Sequence, residues 1–161
     1  MSKSLRRVEA ALAAAGLDAV LIEMPASTRT APEAAAAAGC ALDQIVKSIL
    51  FLGASSGALR LFLAAGGNRI CPKKASALAG EPLERAEPGL VRDRTGFAIG
   101  GVAPLGHLAP VTAWADPRLL DFPVVWAAAG TPRHVFSADP RRLVAAVGAT
   151  LADFTLSPAA L

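Results

Sequence analysis

Residues Gln44 to Leu52 constrain this chain more than any other stretch. Side chains alternate across a strand, so Ile45, Ile49 and Phe51 would share one face and Val46, Leu50 and Leu52 the other. A strand that is apolar on both faces belongs in the middle of a sheet, covered on both sides. Lys47 breaks the pattern on the Ile45 face. Burying an ammonium there is costly unless something negative meets it. Periodicity leaves two readings open. The lysine snorkels past an edge along its own apolar stem, or it lines a pocket for an anionic ligand.

The rest of the chain supplies partners for such a strand. Leu5, Val8, Leu12 and Ala15 recur at helical spacing, with Gly16 as a stop. Ala19 to Met24 reads as a short strand ended by Pro25. Thr30, Pro32 and Glu33 make a helix start, since Thr30 can cap, Pro32 loses nothing in a first turn and Glu33 stands at the capping-box position. That helix runs through the alanines to Gly39. Ala58 to Ala64 is a second strong strand, joined to the first by the turn Gly53 to Gly57. Helical segments follow at Pro72 to Gly80 and Pro88 to Arg94. Phe97 to Ile99, Val111 to Trp114, Val124 to Ala128, and Val135 with Phe136 read as strands. Asp116-Pro117 starts a helical link, and Asp139 caps a last helix that ends at Gly148. Mixed strands and helices predict an α/β fold, with a twisted mixed sheet and flanking helices in one domain over residues 1–161.

Composition excludes several classes. With 53% hydrophobic and 18% charged residues, the chain is neither disordered nor starved of a core. No apolar run approaches the length of a membrane span, and the charged start, Met1 to Glu9, is unlike a signal peptide. A soluble, cytoplasmic protein is expected. Cys40 and Cys71 are far apart, which makes neither a disulfide framework nor a zinc site. The net charge of +3 permits a polyanionic partner without requiring one.

Two glycine-rich segments could carry chemistry. Thr95 to His107 holds Gly96, Gly100, Gly101 and Gly106 around a short apolar run. Glycine admits close backbone approach, and free amides can bind a carbonyl or an oxyanion. The same pattern also describes an ordinary loop. It contains no G-K-[ST] and does not match G-x-G-x-x-G opening a helix, so nucleotide-loop readings fail. Gly130 to His134 follows an apolar strand, a usual place for ligand contacts. His134 could orient water or bind a hydroxyl, or simply sit in a turn. His107 has the same ambiguity, and Ser27 and Thr28 more often serve caps than catalysis.

Taken together, Ser27 to Ala35, Gln44 to Ser48, Gly67-Asn68-Arg69, Thr95 to His107 and Trp126 to His134 resemble the YbaK/ProX/EbsC family of prolyl-tRNA-editing-like domains. The resemblance implies the mixed α/β fold, and it implies hydrolysis of the ester of mischarged tRNA, in trans to the synthetase. The expected substrate is tRNA(Pro) carrying alanine, serine, cysteine, threonine or 2-aminobutyrate, with a synthetase as a further partner. No DNA, membrane, metal or cofactor is expected. Lys47 matches the lysine thought to hold the phosphate or ribose end of the terminal adenosine, and Gly100 and Gly101 the glycines whose backbone positions the ester. His134 joins them as a catalytic candidate. The matched segments make Thr28, Arg29, Thr30, Ser48, Thr95, Gly96, Phe97, Pro104, Gly106, Gly130 and Thr131 the expected substrate contacts. Some relatives carry an aspartate where Val135 stands, which leaves the amino-acid preference open. A non-catalytic module binding tRNA or a synthetase is the alternative, and a hydrolase of other small esters a third reading.

Overall fold

The computed structural model describes residues 2–156. Helix α1, Lys3–Ala14, buries Leu5, Val8 and Leu12 along one stripe, and the Ser2 hydroxyl caps it by accepting from the Leu5 amide at 3.1 Å. Helix α2, Ala31–Ala38, starts as its sequence dictates. The Thr30 hydroxyl accepts from the Glu33 amide and donates to the Glu33 carboxylate, and Gly39 closes the helix in a left-handed conformation. Helices α3, Pro72–Ala79, α4, Pro88–Thr95, and α5, Pro140–Val147, each open on a proline. Thr30→Ala should lower unfolding free energy by about 1 kcal/mol, read as a fall in the urea midpoint at constant slope.

The strands are β1 Val20–Glu23, β2 Ile45–Gly53, β3 Leu59–Ala65, β4 Leu83–Arg85, β5 Thr112–Ala115, β6 Val125–Thr131, β7 His134–Ala138 and β8 Thr150–Leu151. They form one mixed sheet in the order β1-β7-β6-β2-β3-β5-β8, with β4 paired to β2 off this path. β2 runs antiparallel to β3 and β4 and parallel to β6.

Helices cover both faces. On one, Val46, Leu61 and Leu63 pack with Leu5, Val8 and Leu12 of α1, Val91 of α4 and Leu143 of α5 to make the main core. On the other, α2 lays Ala34 and Ala35 over Ile45 and Trp126. Helix α3 lays Ala75 against an aromatic cluster in which Phe62 stacks on Trp114 at 4.9 Å and meets Phe154 edge-on at 5.1 Å. This face thus carries two separate patches, and Lys47 falls between them.

Two expectations need correction, and two short strands have no sequence signal. Phe97 to Ile99 is not a strand. Gly96 and Gly100 adopt φ of 81° and 95°, outside the extended region, and the segment between them turns. β2 is central, yet Lys47 to Leu52 are only half-buried, because the helices of the second face leave it open there. β4 and β8, three and two residues long, are too short to show a period.

Candidate active site

The opening over β2 follows from its pairing. Along one edge β2 meets β6 only at Ile45–Trp126 and Val46–Ala127, and meets β4 only at Phe51, Leu52 and Gly53. Between them, Lys47 to Leu50 have no strand neighbour on that edge. At the rise of a strand, this leaves a gap of about 13 Å in the sheet. A cavity of about 660 Å³ occupies it and reaches both faces, lined by Ala34, Ile49 and Val135 as well as by Leu50, Val91 and Val102. That volume lies within the range of small-molecule sites.

Lys47 is the charge at its wall. The ammonium donates to the carbonyl of Asn68, and among the described residues no carboxylate lies within ion-pair distance. An ammonium has three donors, so two remain for a ligand. Burial pushes the Lys47 pKa below the ordinary lysine value, and Arg69 pushes the same way, while Asp116 and Asp43 oppose them more weakly. A second unspent group lies next door. The Ser48 hydroxyl is buried without a partner among the described residues and belongs to the same wall. Leaving such a group unpaired costs about 1–3 kcal/mol, which a polar ligand would relieve.

Gly100 brings backbone to the wall, with Arg29 beside it: a Cβ built on Gly100 would lie 3.1 Å from the Arg29 side chain. The Gly100 amide donates to no acceptor among the described residues, whereas the Gly101 amide is taken by the Ala98 carbonyl at 3.0 Å. Gly101 instead permits close approach, since a Cβ there would stand 2.9 Å from the backbone of Thr131. Arg29 and Arg85 are exposed cations on the cavity lining, and Glu84 is its only carboxylate among the described residues.

Of the residues expected at the site, Thr28, Arg29, Thr30, Lys47, Ser48 and Gly100 line the cavity. Two of these spend their hydroxyls internally. Thr28 donates to the Pro132 carbonyl at 2.8 Å, and Thr30 caps α2. The remainder lie outside the wall. Thr95 is fully buried, donating to the Val91 carbonyl at 2.6 Å and accepting from the Phe97 amide. Arg7 donates to the carbonyls of Gly96 and Gly106 and stacks over Phe97 at 5.0 Å, so these three residues form the loop's support. Pro104 lines a separate shallow groove, and Gly130 and Thr131 back the loop from behind.

His134 is also placed away from the cavity. Alternation along β7 puts it on the face of Phe136, in the main core, and puts Val135 at the cavity wall. Its Nδ1 shares a hydrogen bond with the Thr131 hydroxyl at 2.6 Å, and Nε2 stands 4.0 Å from Glu23. His107 is tied to the Ala103 carbonyl at 2.8 Å, and burial lowers its pKa. Sequence reasoning missed Ile99, Trp126 and Arg85 as lining residues, because strand pairing and loop packing bring them there from distant parts of the chain.

Fold and site together define a mixed α/β domain with a cavity of small-molecule size. Its cavity splits the sheet, and among the described residues Lys47 is the one half-buried cation on the lining. The sequence profile of the aminoacyl-tRNA editing domain matches residues 25–146, and the chain belongs to that family. Its likeness to a candidate trans-editing enzyme for prolyl tRNA synthetase is 50% identity with a TM-score of 0.90, covering 98% of this chain and 99% of that one. The hypothetical protein APE2540 is 32% identical with a TM-score of 0.86, covering 93% and 99%. The uncharacterized protein YwhH of Bacillus subtilis (strain 168) is 31% identical over 121 residues, 75% of this chain and 76% of that protein. No helix among the described residues is long and apolar enough to cross a membrane.

Proposed function

We propose that this protein deacylates mischarged tRNA in trans, removing a small wrong amino acid from tRNA(Pro). One observation carries the reading: the Lys47 ammonium stands half-buried at the cavity wall, unneutralised, with two donors free. A terminal phosphate or ribose oxygen meets that requirement. Arg29 and Arg85 at the lining favour the polyanion that follows it. The likeness to a candidate trans-editing enzyme for prolyl tRNA synthetase supports tRNA(Pro) as the carrier and a synthetase as the partner.

The reaction asks little of the protein. Water adds to the ester carbonyl, the carbon–oxygen bond to the ribose breaks, the ribose oxygen takes a proton and the amino acid leaves as its carboxylate. An aminoacyl ester is already activated, so orientation and carbonyl polarisation suffice. In this reading Lys47 fixes the adenosine end and the free Gly100 amide polarises the carbonyl. The ribose hydroxyl next to the ester helps activate water. Ala31, Ala34, Ala128 and Val135 supply an apolar wall for the side chain. Size exclusion of this kind is worth about 1–3 kcal/mol per methylene, enough to disfavour the proline ring.

The reading is tested with tRNA(Pro) charged in turn with alanine, serine, cysteine, threonine, 2-aminobutyrate and proline, then with a second tRNA body. Release of at least one small residue should outpace release of proline. Binding across the panel without turnover would identify a non-catalytic module. Turnover of free amino-acid esters without dependence on tRNA would identify a small-ester hydrolase.

A further inference from the structure

The Lys47 ammonium is held by a turn, and that turn is itself held. Residues 66–70 lead from β3 into α3, and the Asn68 carbonyl among them accepts from the amine. The Asn68 side chain donates from Nδ2 to Asp116 Oδ2 at 2.8 Å. Asp116 is 3% exposed, and the same oxygen accepts from the Ala65 amide at 3.1 Å while Oδ1 accepts from the Arg118 amide at 3.0 Å. A second carboxylate works beside it. Asp43 accepts from the Gly67 amide at 2.8 Å and pairs with the Arg118 guanidinium at 3.1 Å. A carboxylate that collects this many donors is fixed in place, and it fixes whatever donates to it.

We propose that Asp116, acting through Asn68, is a positioning residue for Lys47: it locks the β3–α3 turn so that the Asn68 carbonyl holds the ammonium at the cavity wall. The proposal rests on the function proposed above only for what Lys47 then does. Neither Asp116 nor Asn68 lines the cavity, so an effect of either on turnover must pass through other groups. Their distance from Lys47 in sequence explains why no local pattern announces the link. Asp116 reads only as the cap of the 3-10 turn Pro117–Asp121, a role it also fills.

Two variants separate the parts. Asn68→Ala keeps the carbonyl and removes the tether. Asp116→Asn keeps the shape and removes the charge. Asn68→Ala should lower kcat/KM by about tenfold through misplacement of the amine, with a rise in KM because Lys47 binds the adenosine end. Introduced into Lys47→Met, it should cost nothing further, because residues that act as one unit are not additive. A merely structural role would instead lower both backgrounds alike.

A readout independent of activity uses 13C-labelled lysine, of which the chain has four, Lys3, Lys47, Lys73 and Lys74. The charged groups acting on Lys47 are Arg69, Asp116 and Asp43. Removing the Asp116 charge takes away an influence that favours the ammonium, so the Lys47 signal alone should titrate at lower pH than in the parent. If the parent deacylates nothing, the Lys47 chemical shift in Asn68→Ala decides the positioning claim: that variant changes no charge, so a moved signal reports a displaced ammonium and an unmoved one overturns the proposal. If the parent is active, Lys47→Met is inactive, and both variants keep the parent kcat/KM and an unmoved Lys47 signal, the proposal is overturned. Should Asp116→Asn fail to fold, Asn68→Ala and its double variant remain decisive.

Discussion

Lys47→Met is expected to lose deacylation by about a hundred- to a thousandfold in kcat/KM, while the protein unfolds at the same temperature or higher. The two halves of this result have one cause. Lys47 sits in the sheet with its ammonium partly stripped of water and answered by a single carbonyl. Burying a charge without an opposite charge destabilises the fold, so an apolar side chain of similar length removes a cost. The Asn68 carbonyl left behind is half-buried and can take water instead. Lys47→Arg should recover only part of the activity, because a longer planar fork replaces a compact point charge held by the Asn68 carbonyl. The pH profile carries the same signature. Burial and Arg69 lower the Lys47 pKa, so activity requiring the ammonium should fall, as pH rises, below the ordinary lysine range. Calorimetry and single-turnover deacylation on the same samples check both halves. Full turnover by Lys47→Met would end the proposed role.

What could be read from the chain, and what could not, divides by the range of the interaction. β2 and its odd lysine were legible because alternation is a property of neighbours two residues apart. The caps at Thr30 and Gly39 were legible because a hydroxyl and a left-handed glycine act within one turn. The gap beside β2 was not, because it depends on where β6 and β4 stop pairing, and those strands lie far away in sequence. The same limit governs His134 and Val135. Which of them meets the cavity is set by the register of β7 on β6, where the pairing shifts between Ala128 and Thr131. Phe97 shows a different failure. A short apolar run between glycines reads as a buried strand, yet it also describes a loop whose aromatic residue plugs the core. Of the glycine segment, Ile99, Gly100 and Val102 line the cavity while most of the rest packs behind it, and Arg7, the residue that clamps it, carries no sequence signal at all.

That support makes the second large effect specific. Gly101→Ala should lower kcat/KM by about ten- to a hundredfold, although Gly101 itself lies outside the cavity lining. A Cβ at this position would come within 2.9 Å of the Thr131 carbonyl carbon and 3.1 Å of its Cα. Both are backbone atoms of a turn already fastened by Thr28 and Thr131 hydroxyl bonds to neighbouring main chain, so the loop must yield instead. The displaced segment carries Ile99 and Gly100, which do line the cavity, and with them the unspent Gly100 amide proposed to polarise the ester. Overpacking of this kind costs about 1–3 kcal/mol of stability, so a fall in melting temperature accompanies the loss. Gly89→Ala supplies the comparison. It lies in the first turn of α4 with nothing within 4 Å of the new Cβ, and should hold activity while leaving stability equal or up to about 1 kcal/mol higher. Loss in kcat at nearly constant KM would place the damage in ester orientation, since binding of the adenosine end through Lys47 is untouched. Parent-like kcat/KM in Gly101→Ala would mean that the loop positions nothing the reaction needs, and the polarising role given to Gly100 would fall with it.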